Sequence, residues 1–304
     1  MPTVFSNESK IRTNLPAMNA YNALIAMNND IALRQLRLST GKRINSAADD
    51  VAGYITSRSL NARNESLKSA QNAVGEAKNV SAMTQDALDN INGLLTKIKE
   101  MASTASSGAL GTDEKVALAK SAYRLTEQIQ TVVDATVFGG KQLLDGTFSG
   151  EWTIGFKADN ALLTMEIDLK NNSTAAAKFN VTNPFDLNTT LGNFGGVTGL
   201  SLASLNTVSS TDLGVFGYTM VQATLTSLQD ALNNVNKVAS YLGGVENRLT
   251  SQEDLLRSQI TNYTAAISRI EDADVAQEQM NLIKAQFLQQ SSLISLSQAN
   301  QNPN

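Results

Sequence analysis

Residues 77–101 read AKNVSAMTQDALDNINGLLTKIKEM, and their spacing decides the fold. Ala77, Val80, Thr84, Ala87, Ile91, Leu94, Ile98 and Met101 recur at alternating intervals of three and four, the a/d pattern of a coiled coil. Leu67, Ala70, Val74, Leu88 and Leu95 widen the stripe on one side. A stripe this regular buries against a partner helix of similar length. Extended outward to the nearest cap and breaker, it predicts one helix from about Asp50 to Ala102, roughly 80 Å long at 1.5 Å per residue. That is a rod rather than a globule. Its partner lies towards the other end of the chain, from about Thr219 to Ile270. There Leu225, Leu228, Leu232, Val235, Ala239 and Leu242 form one seam. Val245, Leu249, Leu256, Ile260, Tyr263, Ile267 and Ile270 form a second, with a phase slip at Gly243-Gly244. The two helices match in length and polarity, so an antiparallel pair is expected. Its seam is built from Ile91, Leu94, Ile98 and Met101 on one side and Leu249, Leu256 and Ile260 on the other.

Composition permits such lengths. Proline stands only at positions 2, 16, 184 and 303, which leaves long stretches free of a helix breaker. Glycine clusters between Gly139 and Gly217, dividing the chain into a helical start, a Gly-, Thr- and Asn-rich middle and a helical end. Ends that match each other predict one structure built from both, with the middle inserted. A first helix over about Leu15 to Leu38 closes at Gly41, which suits a left-handed cap. Asn45 or Ser46 is the expected cap of the next helix, with Asp49 and Asp50 in its first turn. Thr112 is expected to cap a third helix to about Thr136, ended by Phe138-Gly139-Gly140. Trp152, Ile154 and Phe156 alternate with polar neighbours, as do Leu163, Met165, Ile167 and Leu169. Around the loop Ala158-Asp159-Asn160-Ala161, this predicts a β-hairpin. The Thr- and Asn-rich stretch from Asn171 to Gly217 reads as a small, loopy outer module with little burial. Asp272 or Asp274 is expected to cap a last helix to about Ala299.

The fold class expected is mainly α: a long antiparallel coiled-coil rod from both chain ends, with a β-hairpin and a small β/loop outer insertion. The domains expected are residues 1–42 plus 273–304 as terminal helices, 43–170 plus 218–272 as rod and hairpin, and 171–217 as a solvent-facing module. On the terminal helices the apolar residues are too widely spread for one narrow seam. Leu15, Met18, Ile25 and Leu36 on the first, and Met280, Ile283, Phe287 and Ile294 on the last, want neighbours on several sides. They are the candidate assembly residues.

Chemistry is sharply bounded. Among 304 residues there is no cysteine and no histidine, which removes disulfides, thiolate and imidazole metal sites, and Ser-His or Cys-His catalysis. Lys plus Arg is 24 against 28 for Asp plus Glu, so the net charge of -4 provides no footprint for nucleic acid and no polybasic membrane anchor. The pairs Asp49-Asp50 and Asp272/Asp274 stand at helix starts, where capping accounts for acidic residues. No phosphate-binding glycine loop is present. No catalytic, cofactor or metal site is therefore expected, and no enzymatic function. The start MPTVFSNESKIRTNLP is polar and does not read as a secretory signal, and no stretch approaches the roughly 20 apolar residues of a membrane span.

The stretch LSTGKRINSAADDVAG at 38–53 resembles the N-terminal signature of bacterial flagellins, the filament subunits. LGGVENRL at 242–249, SRIEDADVA at 268–276 and QANQ at 298–301 are similar to the C-terminal counterpart, and FGGKQLLDG at 138–146 to the family's third-helix end. The likeness covers roughly residues 1–170 and 218–304. It implies terminal helices paired in the inner filament core, long helices in the next layer and a solvent-facing middle. It further implies export through the flagellar type III apparatus without a cleaved signal, an extracellular filament used for swimming, and a helical homopolymer. The partners implied are a flagellar cap, hook-junction proteins and a cytoplasmic chaperone on the C-terminal helix. Residues 95–102, LTKIKEMA, resemble the family's innate-immune receptor epitope, which implies a Toll-like receptor patch at Lys97, Met101 and Lys120. Lys97 stands where many members have Arg, Met101 where many have Leu, and Lys120 near where an acid is usual. The alternatives are a hook-filament junction protein, which shares both terminal regions, and a flagellin-like surface binding protein. The 45-odd residues from Asn171 to Gly217 are too few and too polar for an inserted catalytic domain.

Overall fold

The computed structural model describes residues 14–157 and 161–301. The polar start of the chain up to Thr13, the hairpin-loop residues Ala158 to Asn160 and the final Asn302-Pro303-Asn304 lie outside the described residues. The chain divides into two compact units, one formed by residues up to 65 together with those from 259, the other by residues 66–258.

The first unit holds α1 (Leu15–Thr40), the start of α2 (Val51–Ala105), the end of α5 (Val221–Glu271) and α6 (Val275–Gln301). Asn14 starts α1 by accepting the Ala17 N–H at 3.0 Å, and Gly41, at φ +69°, ends it in the left-handed region open to glycine. The next cap is Asp50 rather than Asn45 or Ser46: its carboxylate accepts the Gly53 N–H at 2.9 Å. Asp49 instead folds back, accepting the N–H groups of Asn45 and Ser46 at 3.1 and 2.9 Å, which closes that turn before the helix begins. Asp274 caps α6 by accepting the Gln277 N–H at 3.1 Å. Helices α1 and α6 pack antiparallel, with Asn14 Nδ2 bonded to the Ala299 carbonyl at one end and Arg34 to Glu278 at the other.

The second unit is built on the rest of α2 and α5, linked by Lys78–Glu253 at 2.8 Å and Asn92–Asn236 at 2.6 Å. On this part of α2 the fully buried positions are Leu67, Ala70, Val74, Ala77, Val80, Ser81, Thr84, Leu88, Ile91, Leu95, Ile98, Ala102 and Ala105, and Ala87 is buried to 8% exposure. The expected seam holds at Ala77, Val80, Thr84, Ala87, Ile91 and Ile98, with Ser81 and Leu88 buried beside it. It departs only at the last two alternate steps, where Leu95 and Ala102 take the places expected of Leu94 and Met101, which are half-buried at its edge. On α5, Leu228, Ala231, Val235, Val238, Leu242, Val245 and Leu249 are buried in unbroken three-four spacing, and Leu256 is buried one heptad further on. The slip expected at Gly243-Gly244 is absent, and the helix runs through both glycines.

Helix α3 (Thr112–Ala135) has Gly111, not Thr112, as its cap, with the Gly111 N–H donating to Glu114 at 3.0 Å. Gly139 and Gly140 do more than end it. At φ +57° and +79° they form the two-residue turn joining β1 (Val137–Phe138) to β2 (Lys141–Gln142). Strands β3 (Ser149–Phe156) and β4 (Leu162–Asp168) pair antiparallel, with Trp152 opposite Met165 and a register shift between Thr153 and Gly155.

The segment after β4 departs most from expectation. It holds α4 (Ser173–Phe179) and 3₁₀ turns at 194–196, 202–207 and 214–216. Far from being a polar loop with little burial, it hides Phe179, Phe185, Leu187, Phe194, Leu202, Leu205 and Phe216. Phe179 meets Tyr241 of α5 edge-on at 5.1 Å, the Gly195 carbonyl accepts from Asn234 at 2.9 Å, and Thr189 N–H donates to Gln130 of α3 at 3.0 Å. Its many Asn, Asp and Thr side chains satisfy tight turns, as where Asp186 accepts the Asn188 N–H at 2.8 Å. They therefore do not signal exposure.

Candidate assembly surface

The least exposed positions of α6 are Glu278, Leu282, Ala285, Gln289, Ser292, Leu296 and Ala299, a heptad seam facing α1, with Asn281 half-buried at its edge. On α1 the matching seam is Ala17, Ala20, Leu24, Met27, Ile31, Arg34 and Leu38. At about 100° per residue, Met280, Ile283, Phe287 and Ile294 point almost directly away from the α6 seam. Helix α6 therefore has two opposed apolar faces, and α1 covers one. On α1 itself, Met18, Ile25 and Leu36 recur at intervals that return to a single face, again away from the seam. All eight candidate assembly residues, Leu15 included, are exposed, Phe287 to 73%. Met280, Ile283, Phe287 and Leu288 line a shallow apolar depression beside Lys284. Contiguous apolar stripes of this kind mark interaction surfaces.

The seam beneath is held by charge. Glu278, nearly buried, accepts from Arg34 at 2.9 Å and from Arg37 at 3.2 Å, while Arg34 also reaches Asp30 at 3.1 Å. Burial alone would raise the Glu278 carboxyl, but the Arg34 hydrogen bond and the two guanidinium charges hold it below the ordinary glutamate range. Sequence reasoning missed this node. Its signal was present: an acid in the first turn of one helix and an arginine in the last turn of the other, each where the dipole favours it.

The two terminal motifs meet at the joint between these helices. Lys42 bridges Asp272, the Arg43 N–H donates to the Glu271 carbonyl at 2.6 Å, and Lys42 Nζ pairs with the Glu271 carboxylate at 3.0 Å. The Arg43 guanidinium donates to the Ile270 carbonyl at 2.8 Å, and Ile44 is buried. A Cβ on Gly53 would lie 2.5 Å from the Asp50 carboxylate and 2.6 Å from the Ile44 Cδ1, so a larger residue would have to displace the ends of both side chains.

Of the expected rod residues, Ile91, Ile98, Leu249 and Leu256 are fully buried, and Leu94, Met101 and Ile260 half-buried. Lys97 and Lys120 are exposed. Among the described residues no helix is long and apolar enough to cross a membrane.

Comparison with known proteins bears on this surface. Residues 11–149 match the model of the bacterial flagellin N-terminal helical region, and 225–304 that of the C-terminal helical region. The chain is 28% identical over 293 residues to a flagellin of Halalkalibacterium halodurans, covering 96% of each chain. It is 29% identical over 305 residues to a flagellin of Bacillus subtilis, covering 97% of each. A solved structure described as a flagellar hook-associated protein of Vibrio parahaemolyticus shares the fold with a TM-score of 0.55 at 15% identity, over 74% of this chain and 100% of that one.

Proposed function

The chain belongs to the bacterial flagellin family, and from that premise we propose that it is a non-enzymatic structural subunit that polymerises with its own copies into the extracellular flagellar filament. The observation that carries this is the apolar stripe of α6 diametrically opposite the seam that α1 fills. A helix hydrophobic on two opposed faces is completed by a second neighbour, and in a homopolymer that neighbour is another copy. In this reading residues 1–42 and 273–304 form the inner filament core, 43–170 and 218–272 the surrounding rod, and 171–217 the solvent-facing module. Export runs through the flagellar type III apparatus, with a chaperone on the C-terminal helix before export and the cap and hook-junction proteins as later partners. The filament serves swimming. Lys97, Met101 and Lys120 are the candidate patch for a host receptor.

Seeded polymerisation followed by electron microscopy tests the proposal. Wild-type chain should yield long filaments. Phe287→Asp and Ile283→Asp, both at exposed positions, should keep the circular dichroism of the monomer and yield none. Filaments from both variants, or none from the wild type, would overturn it.

A further inference from the structure

The sequence has eight methionines and no cysteine, so thioethers are its most oxidisable aliphatic groups. Their placement is uneven. Met18 and Met280 are 53% and 59% exposed and belong to the two uncovered stripes. Met83 and Met220 are also exposed, but on the second unit, whereas Met165 is 4% exposed within its core. Neither Met18 nor Met280 contributes to the α1–α6 seam, whose methionine is the half-buried Met27.

We propose that Met18 and Met280 are oxidation sites through which a peroxide reversibly withdraws the folded subunit from assembly. The inference rests on the stripes being the polymerisation surface. A thioether sulfur lone pair attacks one oxygen of hydrogen peroxide, and the O–O bond breaks. The transferred oxygen becomes the sulfoxide, and the departing hydroxide takes the remaining proton to leave as water. Sulfur is oxidised by two electrons and the peroxide reduced by two. The product is polar and chiral where the stripe must be apolar, and burying it against another subunit without a hydrogen-bond partner is unfavourable. The helix pair persists because its seam contains neither sulfur. Methionine sulfoxide reductases, one for each sulfoxide epimer, reverse the change.

The test uses the full-length chain treated with graded hydrogen peroxide, with peptide mass spectrometry to locate the oxygen. Sulfoxide at Met18 and Met280 should raise the concentration needed for seeded polymerisation at least about tenfold, with helical circular dichroism unchanged. Reductase treatment should restore assembly. Whatever concentration an untreated Met18→Leu/Met280→Leu variant needs for seeded polymerisation, peroxide should leave that concentration unchanged although Met83 and Met220 are oxidised. A Met83→Leu/Met220→Leu variant should remain peroxide-sensitive. In preformed filaments, Met18 and Met280 should be protected while Met83 and Met220 react. Untreated chain that fails to polymerise would defeat the functional proposal itself. Untreated chain that polymerises, together with oxidised chain that does so equally well, would overturn this inference alone, as would a Met18/Met280 variant that still loses assembly on oxidation.

Discussion

The two units follow the same heptad rule and reach opposite ends of it. In the second, the 171–217 segment packs on α5 and on α3 as a further layer, and Leu88, Ile91, Leu95, Val238 and Leu249 are fully buried. In the first, α1 has no fully buried residue, and α6 buries only Glu278 and Ala285. A two-helix layer hides one stripe per helix, whereas added layers hide the flanks as well. The stripe left over is the surface we propose for polymerisation. A third layer over α1 and α6 would have made a more stable monomer with no surface left for polymerisation.

The most damaging change should be deletion of residues 172–210. The spacing of polar residues alone predicts a mild effect, smaller than that of Ile91→Ala. The structure reverses that order, because the deletion uncovers α3 and α5. Even Phe179→Ala within it should cost about 3–5 kcal/mol. Calorimetry comparing the deletion with Ile91→Ala decides the order, and a lower midpoint for Ile91→Ala would show the segment to be only loosely attached.

Next in size is the register of the α2 seam. Leu95→Ala removes a fully buried side chain and should cost about 2–5 kcal/mol. Leu94→Ala, one residue away and half-buried, should cost clearly less. Equal losses in urea unfolding would restore the register through Leu94 and Met101.

In the first unit, Glu278→Gln should weaken the helix pair while leaving the second unit's transition in place. Glu278 is held low in the folded chain, so its contribution is fully present above the ordinary glutamate value of about 4.3 and is lost as pH falls through the lowered folded value. Amide exchange across α1 and α6 should therefore quicken on acidification below about pH 4 in the wild type, and this dependence should flatten in Glu278→Gln. Protection that ignores acid in both chains would leave the pair held by its apolar seam alone. The smallest effect should come from Phe287→Ala. Despite its size, the exposed ring should change monomer stability by no more than about 0.5 kcal/mol. A larger destabilisation would mean the stripe packs within the monomer.

Periodicity was enough to show two long helices, their pairing and the doubly apolar character of the last one, because a 3.6-residue repeat projects directly onto a helix surface. The motif at 38–53 was legible as a signature, but the role of each residue was not. That Asp50 caps while Asp49 closes the turn, and that Gly53 clears space for Ile44, depends on backbone geometry no spacing encodes. Only the tertiary structure decided the far end of the α2 seam, since Leu94 and Leu95, like Met101 and Ala102, are separated by which neighbours lie beside them. It also decided that residues 171–217 are packed, because Phe179, Phe194 and Phe216 sit in irregular backbone where burial follows no period. The same holds for the union of Arg34, Arg37 and Glu278, which stand some 240 residues apart in the chain and meet only when α1 and α6 run antiparallel.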